Sequence, residues 1–167
     1  MREVLLGLAR EGFFEPRWSE RVLEEWARAA RRLGPAGEAQ ARDEIAALDA
    51  AWPGAMAPPG DETGLWLRDP GDIHVLASAI AGHCHGIVTL NAQDFSPQIL
   101  AGEGLVRIAP DALAMACLGI DAGRVRRVAG AVLEEARRLS DGGWEMRALM
   151  KKARLPRLGK ALQEGSI

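Results

Sequence analysis

Residues 69–95 read DPGDIHVLASAIAGHCHGIVTLNAQDF, and their order decides the fold. Asp72 precedes apolar residues at helical spacing (Ile73, Leu76, Ala77 and Ile80), which predicts a helix from Asp72 to about Gly82. A turn bounded by Gly82 and Gly86 leads into GIVTL, a continuous apolar run of buried-strand type. A polar tip holding Asn91 and Asp94 follows. Asp72 therefore opens a helix, and Asp94 lies just beyond a strand end. Both positions rim the crevice outside the carboxyl ends of the strands, where open α/β sheets bind ligands. Carboxylates gathered there suit a hard divalent cation.

Outward from this stretch, the pattern alternates. MREVLLGLAREG carries Val4, Leu5 and Leu8 at helical spacing and stops at Gly12. FFEPRW is short, and Pro16 confines it to an extended piece or a strand edge. Ser19 is a good N-cap for SERVLEEWARAARRL, whose inward residues are Val22, Leu23, Trp26 and Ala30. A third helix spans about 36–51, with Ile45 and Leu48 inward. WPGAMAPPGDETG is a loop by its Pro and Gly density. GLWL at 64–67 and LVRI at 105–108 are short strand candidates. Pro110 opens a helix through Leu118, and Asp121 caps a long amphipathic helix to about Ser140. Two short helices split at Pro156 complete the tail. Strands alternating with helices imply an α/β fold with a mostly parallel sheet, followed by an all-helical extension.

A chain of 167 residues is about one domain, large enough for a sizeable core. Hydrophobic residues at 48% against 26% charged exclude a disordered chain. Residues 1–120 carry 10 basic and 17 acidic side chains, a net of −7, whereas residues 121–167 carry 11 and 6, a net of +5. Such asymmetry points to contact with a polyanion or to self-association, against the plainer reading of a solvated helical face. Cys84 and Cys117 match no metal or redox spacing and read as reduced hydrophobes of a cytoplasmic protein. No apolar run approaches a membrane span, and Arg2, Glu3 and Arg10 interrupt any signal-peptide pattern.

Each acid has an ordinary explanation when taken alone. Asp72 could be a helix N-cap, Asp94 a turn residue, and Glu25 one partner of a surface ion pair with Arg28 at i+3, as Glu24 could be at i+4. Taken together, acids from a helix middle, a helix start and a strand end can converge at one sheet edge. Their mutual repulsion then calls for a cation. Magnesium suits few carboxylates and phosphate chemistry. His83-Cys84-His85 has no second ligand cluster in the sequence, so a turn is the better reading than zinc. His74, two residues past Asp72, is expected to point elsewhere, as a packed or solvated histidine, the alternative being a pH-sensitive substrate contact at the cleft. Trp52 and Trp66 flank the Pro-rich loop and could form an exposed patch for a partner.

The order WSERVLEEW, DPGDIHVLASAI, GIVTLNAQDF resembles the PIN-domain nucleases, and looks most like the bacterial branch that includes VapC-type toxins. The resemblance covers about residues 2–120. It implies a three-layer α/β/α sandwich with a short parallel sheet over 1–119, with 120–167 as an added helical extension. It also implies cleavage of single-stranded RNA with Mg²⁺ or Mn²⁺. By resemblance Glu25, Asp72 and Asp94 would hold the metal, while Asn91 and Thr89 would shape the catalytic site. A homodimer and an antitoxin protein that enters the cleft are likewise implied.

One departure is at the front. The family's first strand and its metal-binding Asp have no counterpart before the first helix, and loss of a central strand would leave a gap of roughly 9–10 Å. The expectations are an upstream start, a distorted sheet, or a degenerate copy that no longer cuts RNA. The competing class is a catalytically inactive PIN-like module that binds RNA or a protein. A receiver-like or nucleotide-binding fold is disfavoured, because no Gly-rich phosphate loop follows a strand.

Overall fold

Helix caps and breakers set the element boundaries along the chain. The computed structural model describes residues 1–140 and 142–164. Asp141 and residues 165–167, the end of the expected extension, lie outside the described residues. The elements are α1 (Arg2–Arg10), α2 (Glu20–Ala30), α3 (Pro35–Ala51), α4 (Ile73–Ala81), β1 (Gly86–Val88), α5 (Pro97–Gly102), β2 (Val106–Ile108), α6 (Pro110–Ile120), α7 (Ala122–Arg138), α8 (Met146–Lys152) and α9 (Pro156–Glu164). Ser19 caps α2 by accepting the Val22 N–H, Ser96 caps α5 through Ile99, and Asp121 caps α7 through Arg124. No helix among the described residues is long and apolar enough to cross a membrane.

Strand content is smaller than the sequence suggests. β1 and β2 form a two-stranded parallel sheet, with Val106 N–H donating to His85 O at 3.1 Å and Thr89 N–H to Ile108 O at 3.0 Å. Residues 64–67 are not a strand; Gly64 completes a turn, and Leu67 enters the core with no ladder partner among the described residues. FFEPRW contributes one isolated parallel bridge, Trp18 to Met56. The sequence reading also missed α5, a single turn and a half opened by Ser96-Pro97.

By internal contacts the chain forms two compact units: residues 1–15, 88–90 and 108–167, and residues 16–87 and 91–107. The first unit is helical around Val4, Leu8, Cys117, Val125, Met150, Leu155 and Leu158. In it α1 packs on α6 and α7, and α8 pairs with α9. Asp111 of α6 accepts the Arg157 and Leu158 N–H groups, capping α9 from outside the helix. The second unit is built on Leu67, Leu76, Ile87, Phe95, Leu100 and Leu105. Each such buried side chain stabilises by about 1.5–3 kcal/mol relative to exposure. Trp26, expected inward, is only half-buried; Leu23, Ala27 and Ala30 are the buried residues of α2. Both cysteines are free, and burial pushes both thiols above their ordinary range.

Candidate functional site

The segment Asp69-Pro70-Gly71-Asp72 divides labour between two acids. Asp69 accepts a hydrogen bond from the Gly71 N–H at 2.8 Å and caps a 3₁₀ turn, Pro70–Asp72, that runs into α4. Pro70 supplies the fixed φ that such a first turn favours. The Asp72 side chain makes no capping bond, so its ordinary explanation as an N-cap does not hold.

The polar tip after β1 meets that carboxylate. Asn91 Nδ2 donates to Asp72 Oδ2 at 3.0 Å and to Asp94 Oδ2 at 2.6 Å, while Asn91 Oδ1 accepts the Asp94 N–H at 3.3 Å. Phe95, 3% exposed, anchors the tip in the core. The Arg107 guanidinium holds it from the other side by donating to Ala92 O at 3.0 Å. Asp69, Asp72 and Asp94 each present an oxygen, and these oxygens lie within 4.8 Å of one another. Among the described residues this is the one grouping of His, Cys, Asp and Glu close enough to hold a metal ion.

Charge makes the arrangement unfavourable as it stands. Burial, and after it the Asp69 and Asp94 carboxylates, push the Asp72 carboxyl above its ordinary range; His74 opposes the shift and Glu25 adds to it. No cationic side chain pairs with the three carboxylates among the described residues. Their side-chain oxygens accept from Asn91 Nδ2 and the Gly71 N–H, while the Asp94 N–H donates to Asn91 Oδ1. Among the described residues no hydrogen bond reaches the second oxygens of Asp72 and Asp94 or Oδ2 of Asp69. An all-oxygen, uncompensated donor set fits a hard divalent cation such as Mg²⁺ or Mn²⁺.

Glu25 stands outside this trio. Its Oε1 lies 3.0 Å from His74 Nε2, and the Arg21 guanidinium approaches at 3.5 Å. His74 is 4% exposed, and neither ring nitrogen makes a well-aligned hydrogen bond. The Glu25 contact is therefore a close electrostatic one. The sequence reading has His74 pointing away from the site; it is packed, as expected of a buried histidine, yet it links Glu25 to the helix that Asp72 opens. Both line a groove of about 1180 Å³ between α2, α3 and residues 56–62, with Arg21, Arg28 and Arg42 along it. Glu24, not Glu25, pairs with Arg28, at 2.8 Å.

Thr89 lies in the other compact unit, immediately after β1, with its backbone on Ile108. Asp69 is the site residue that the sequence reading missed. Its signal was the Asp-Pro-Gly turn, which reads as a cap and so conceals a second role. His83 occupies a left-handed position (φ 51°) closing α4, with its N–H on Ile80 O and the Cys84 N–H on Ala79 O. The HCH triplet is thus a helix stop.

Comparison with known proteins finds one family. A model described as PIN domain matches residues 2–93. That stretch contains Glu25, Asp69, Asp72, His74, Thr89 and Asn91 and ends one residue before Asp94. No curated protein and no solved structure matches the chain.

Proposed function

The chain belongs to the PIN-domain family, whose members are generally nucleases, and from that premise we propose that it is a metal-dependent ribonuclease acting as the toxin of a toxin–antitoxin pair. The observation that carries the reading is the Asp69–Asp72–Asp94 cluster, bridged by Asn91 and held within 4.8 Å. In this reading Asp72 and Asp94 hold Mg²⁺ or Mn²⁺, with Asp69 beside them. Glu25 acts from the groove wall, positioned by His74. Asn91 fixes the two carboxylates in register, as an outer partner does for metal ligands. Thr89, two residues before Asn91, keeps its proposed role in shaping the site. When bound, the cation supplies Lewis acidity, lowering the pKa of a water and neutralising charge on the phosphoryl oxygens. The protein side chains orient the donors and hold them close before the metal arrives. A cytoplasmic homodimer controlled by an antitoxin completes the proposal. Its support is the order of motifs in residues 18–95.

One observation favours the alternative, a catalytically inactive PIN-like module that binds RNA or a protein. Glu25 is engaged with His74 and Arg21 instead of joining the trio. Cleavage of single-stranded RNA by this chain, with Mg²⁺ or Mn²⁺ and with EDTA, separates the two readings. The nuclease reading expects metal-dependent cutting that Asp72→Asn reduces by about 100-fold or more, since loss even of an outer partner costs 10–100-fold. A folded parent that binds Mn²⁺ and cuts nothing assigns the chain to the binding class.

A further inference from the structure

The excess positive charge of residues 121–167 is not spread evenly. On α7 the arginines are spent internally. Arg124 pairs with Asp121 at 2.9 Å, Arg138 with Glu135 at 2.6 Å, and Arg127 reaches Glu11 at 3.4 Å. Arg137 donates to Trp144 O at 2.8 Å and Arg126 to Leu162 O at 3.2 Å. The α8–α9 hairpin differs. Lys151, Arg154 and Arg157 are exposed, and none of their side chains has an acidic or hydrogen-bonding partner among the described residues. Among the described residues Arg147 meets only the neutral Gln163, and Lys160 faces Glu164 at 3.6 Å with both side chains about two-thirds exposed. The Asp111 carboxylate nearby is occupied by the Arg157 and Leu158 N–H groups.

The backbone beneath these cations is fixed. Leu155 N–H donates to Met150 O at 2.8 Å and Arg154 N–H to Lys151 O at 3.1 Å, the paired bonds that close a helix with a left-handed residue. That residue is Arg154 (φ 60°), where glycine is the unstrained choice. Met150, Leu155 and Leu158 are fully buried under the turn, so the three charges project from a rigid seven-residue arc. Beside them Lys152 sits 4.9 Å over the Trp144 ring. Cations tracking a backbone next to an aromatic face are the elements of single-strand nucleic-acid binding. No large apolar side chain is exposed between residues 142 and 164, so the hairpin lacks the anchors an interfacial membrane helix needs.

We propose that the α8–α9 hairpin is a binding surface for the phosphate backbone of single-stranded RNA, with Lys151, Arg154 and Arg157 as the contacts. It lies outside the matched stretch 2–93, and its choice of RNA over other polyanions rests on the nuclease reading. The test is fluorescence anisotropy of a labelled single-stranded RNA of mixed sequence with the full chain in EDTA, over a range of KCl concentrations. Changing all three to glutamine is expected to weaken binding at least 10-fold at moderate salt. It should also flatten the slope of log K against log[salt] by about 2, at about 0.7 per lost phosphate contact. The charge-preserving set Lys151→Arg, Arg154→Lys and Arg157→Lys should bind as the parent does. Arg154→Gly separates binding from folding, because it should raise Tm while lowering affinity. Unchanged affinity and slope in the glutamine set overturn the proposal and leave the cations to an acidic protein or to solvent. A parent that binds no RNA overturns it too. Cleavage with Mn²⁺ is read in parallel. A parent that cuts RNA while the glutamine set binds normally sinks the surface alone. Lost binding in the glutamine set with a parent that never cuts sinks the nuclease reading alone.

Discussion

At the scale of the residue, Asp72 trades stability for a site. Its carboxyl is held above the ordinary range by burial and by two carboxylate neighbours. A carboxyl with a folded pKa above its unfolded one costs no stability below the unfolded value, near 3.8. The cost grows as pH rises from the unfolded value through the folded pKa and is complete above it. Asp72→Asn removes that charge, and its amide oxygen still accepts from Asn91. In EDTA at pH 7 the variant is therefore expected to melt above the parent, by a few degrees, and the difference should vanish at pH 3. Mn²⁺ should raise the Tm of the parent and leave that of the variant unmoved. Equal melting in EDTA with equal Mn²⁺ shifts would show that the carboxylates at this site do not repel and hold no metal.

At the scale of the element, two contacts secure the walls beside the site. Gly60 lets the Pro-rich loop lie on α4: a Cβ there would fall 2.0 Å from Ala77 O, a backbone atom that cannot step aside. Gly60→Ala is thus expected to cost about 3 kcal/mol or more by forced displacement, read as a lowered midpoint in urea. An unchanged midpoint would mean that the loop does not lie against α4. The second contact ties α3 to α2. Arg42 pairs with Glu24 at 3.0 Å and with Glu38 at 2.7 Å, and Arg31 grips Glu38 from the other side. Hydrogen bonds from Arg31 and then Arg42 hold the Glu38 carboxyl down at about 2. The support from this pairing is present above the unfolded value of 4.5 and is lost as pH falls through about 2. NMR titration of the Glu38 side chain should find that low value, and Arg31→Ala should return it toward 4.5. These groups are exposed, so the pairing sets side-chain geometry more than stability.

At the scale of the whole molecule, charge polarity is the dominant feature. A net of −7 on residues 1–120 and +5 on 121–167, with a pI near 6.0, favours association between copies when the net charge vanishes. Light scattering is expected to show the greatest self-association near pH 6 at low ionic strength. About 0.3 M salt, with a Debye length near 6 Å, should disperse it. Association that grows with salt would point to apolar contact instead. The family match and the metal cluster belong to residues up to 94, whereas Lys151, Arg154 and Arg157, unpaired among the described residues, belong to the α8–α9 hairpin.

The helices were legible in the sequence because their determinants are local. Ser19, Ser96-Pro97, Pro110 and Asp121 act within one turn, and apolar spacing marks the inward faces; even so, α5 was passed over because a helix of six residues has too little periodicity to register. The short β1 and β2 were visible as apolar runs, but GLWL was not distinguishable from them, because a strand exists only when a partner supplies the ladder. The pairing of Asp72 with Asn91 and Asp94 was anticipated from their places at a helix start and a strand end. Only the tertiary structure decided that Asp69 joins them, that His74 faces Glu25, and which cations of the tail stay unpaired. Sequence spacing orders side chains along one element. Distances between side chains of different elements follow from packing, and the chemistry of this site depends on those distances.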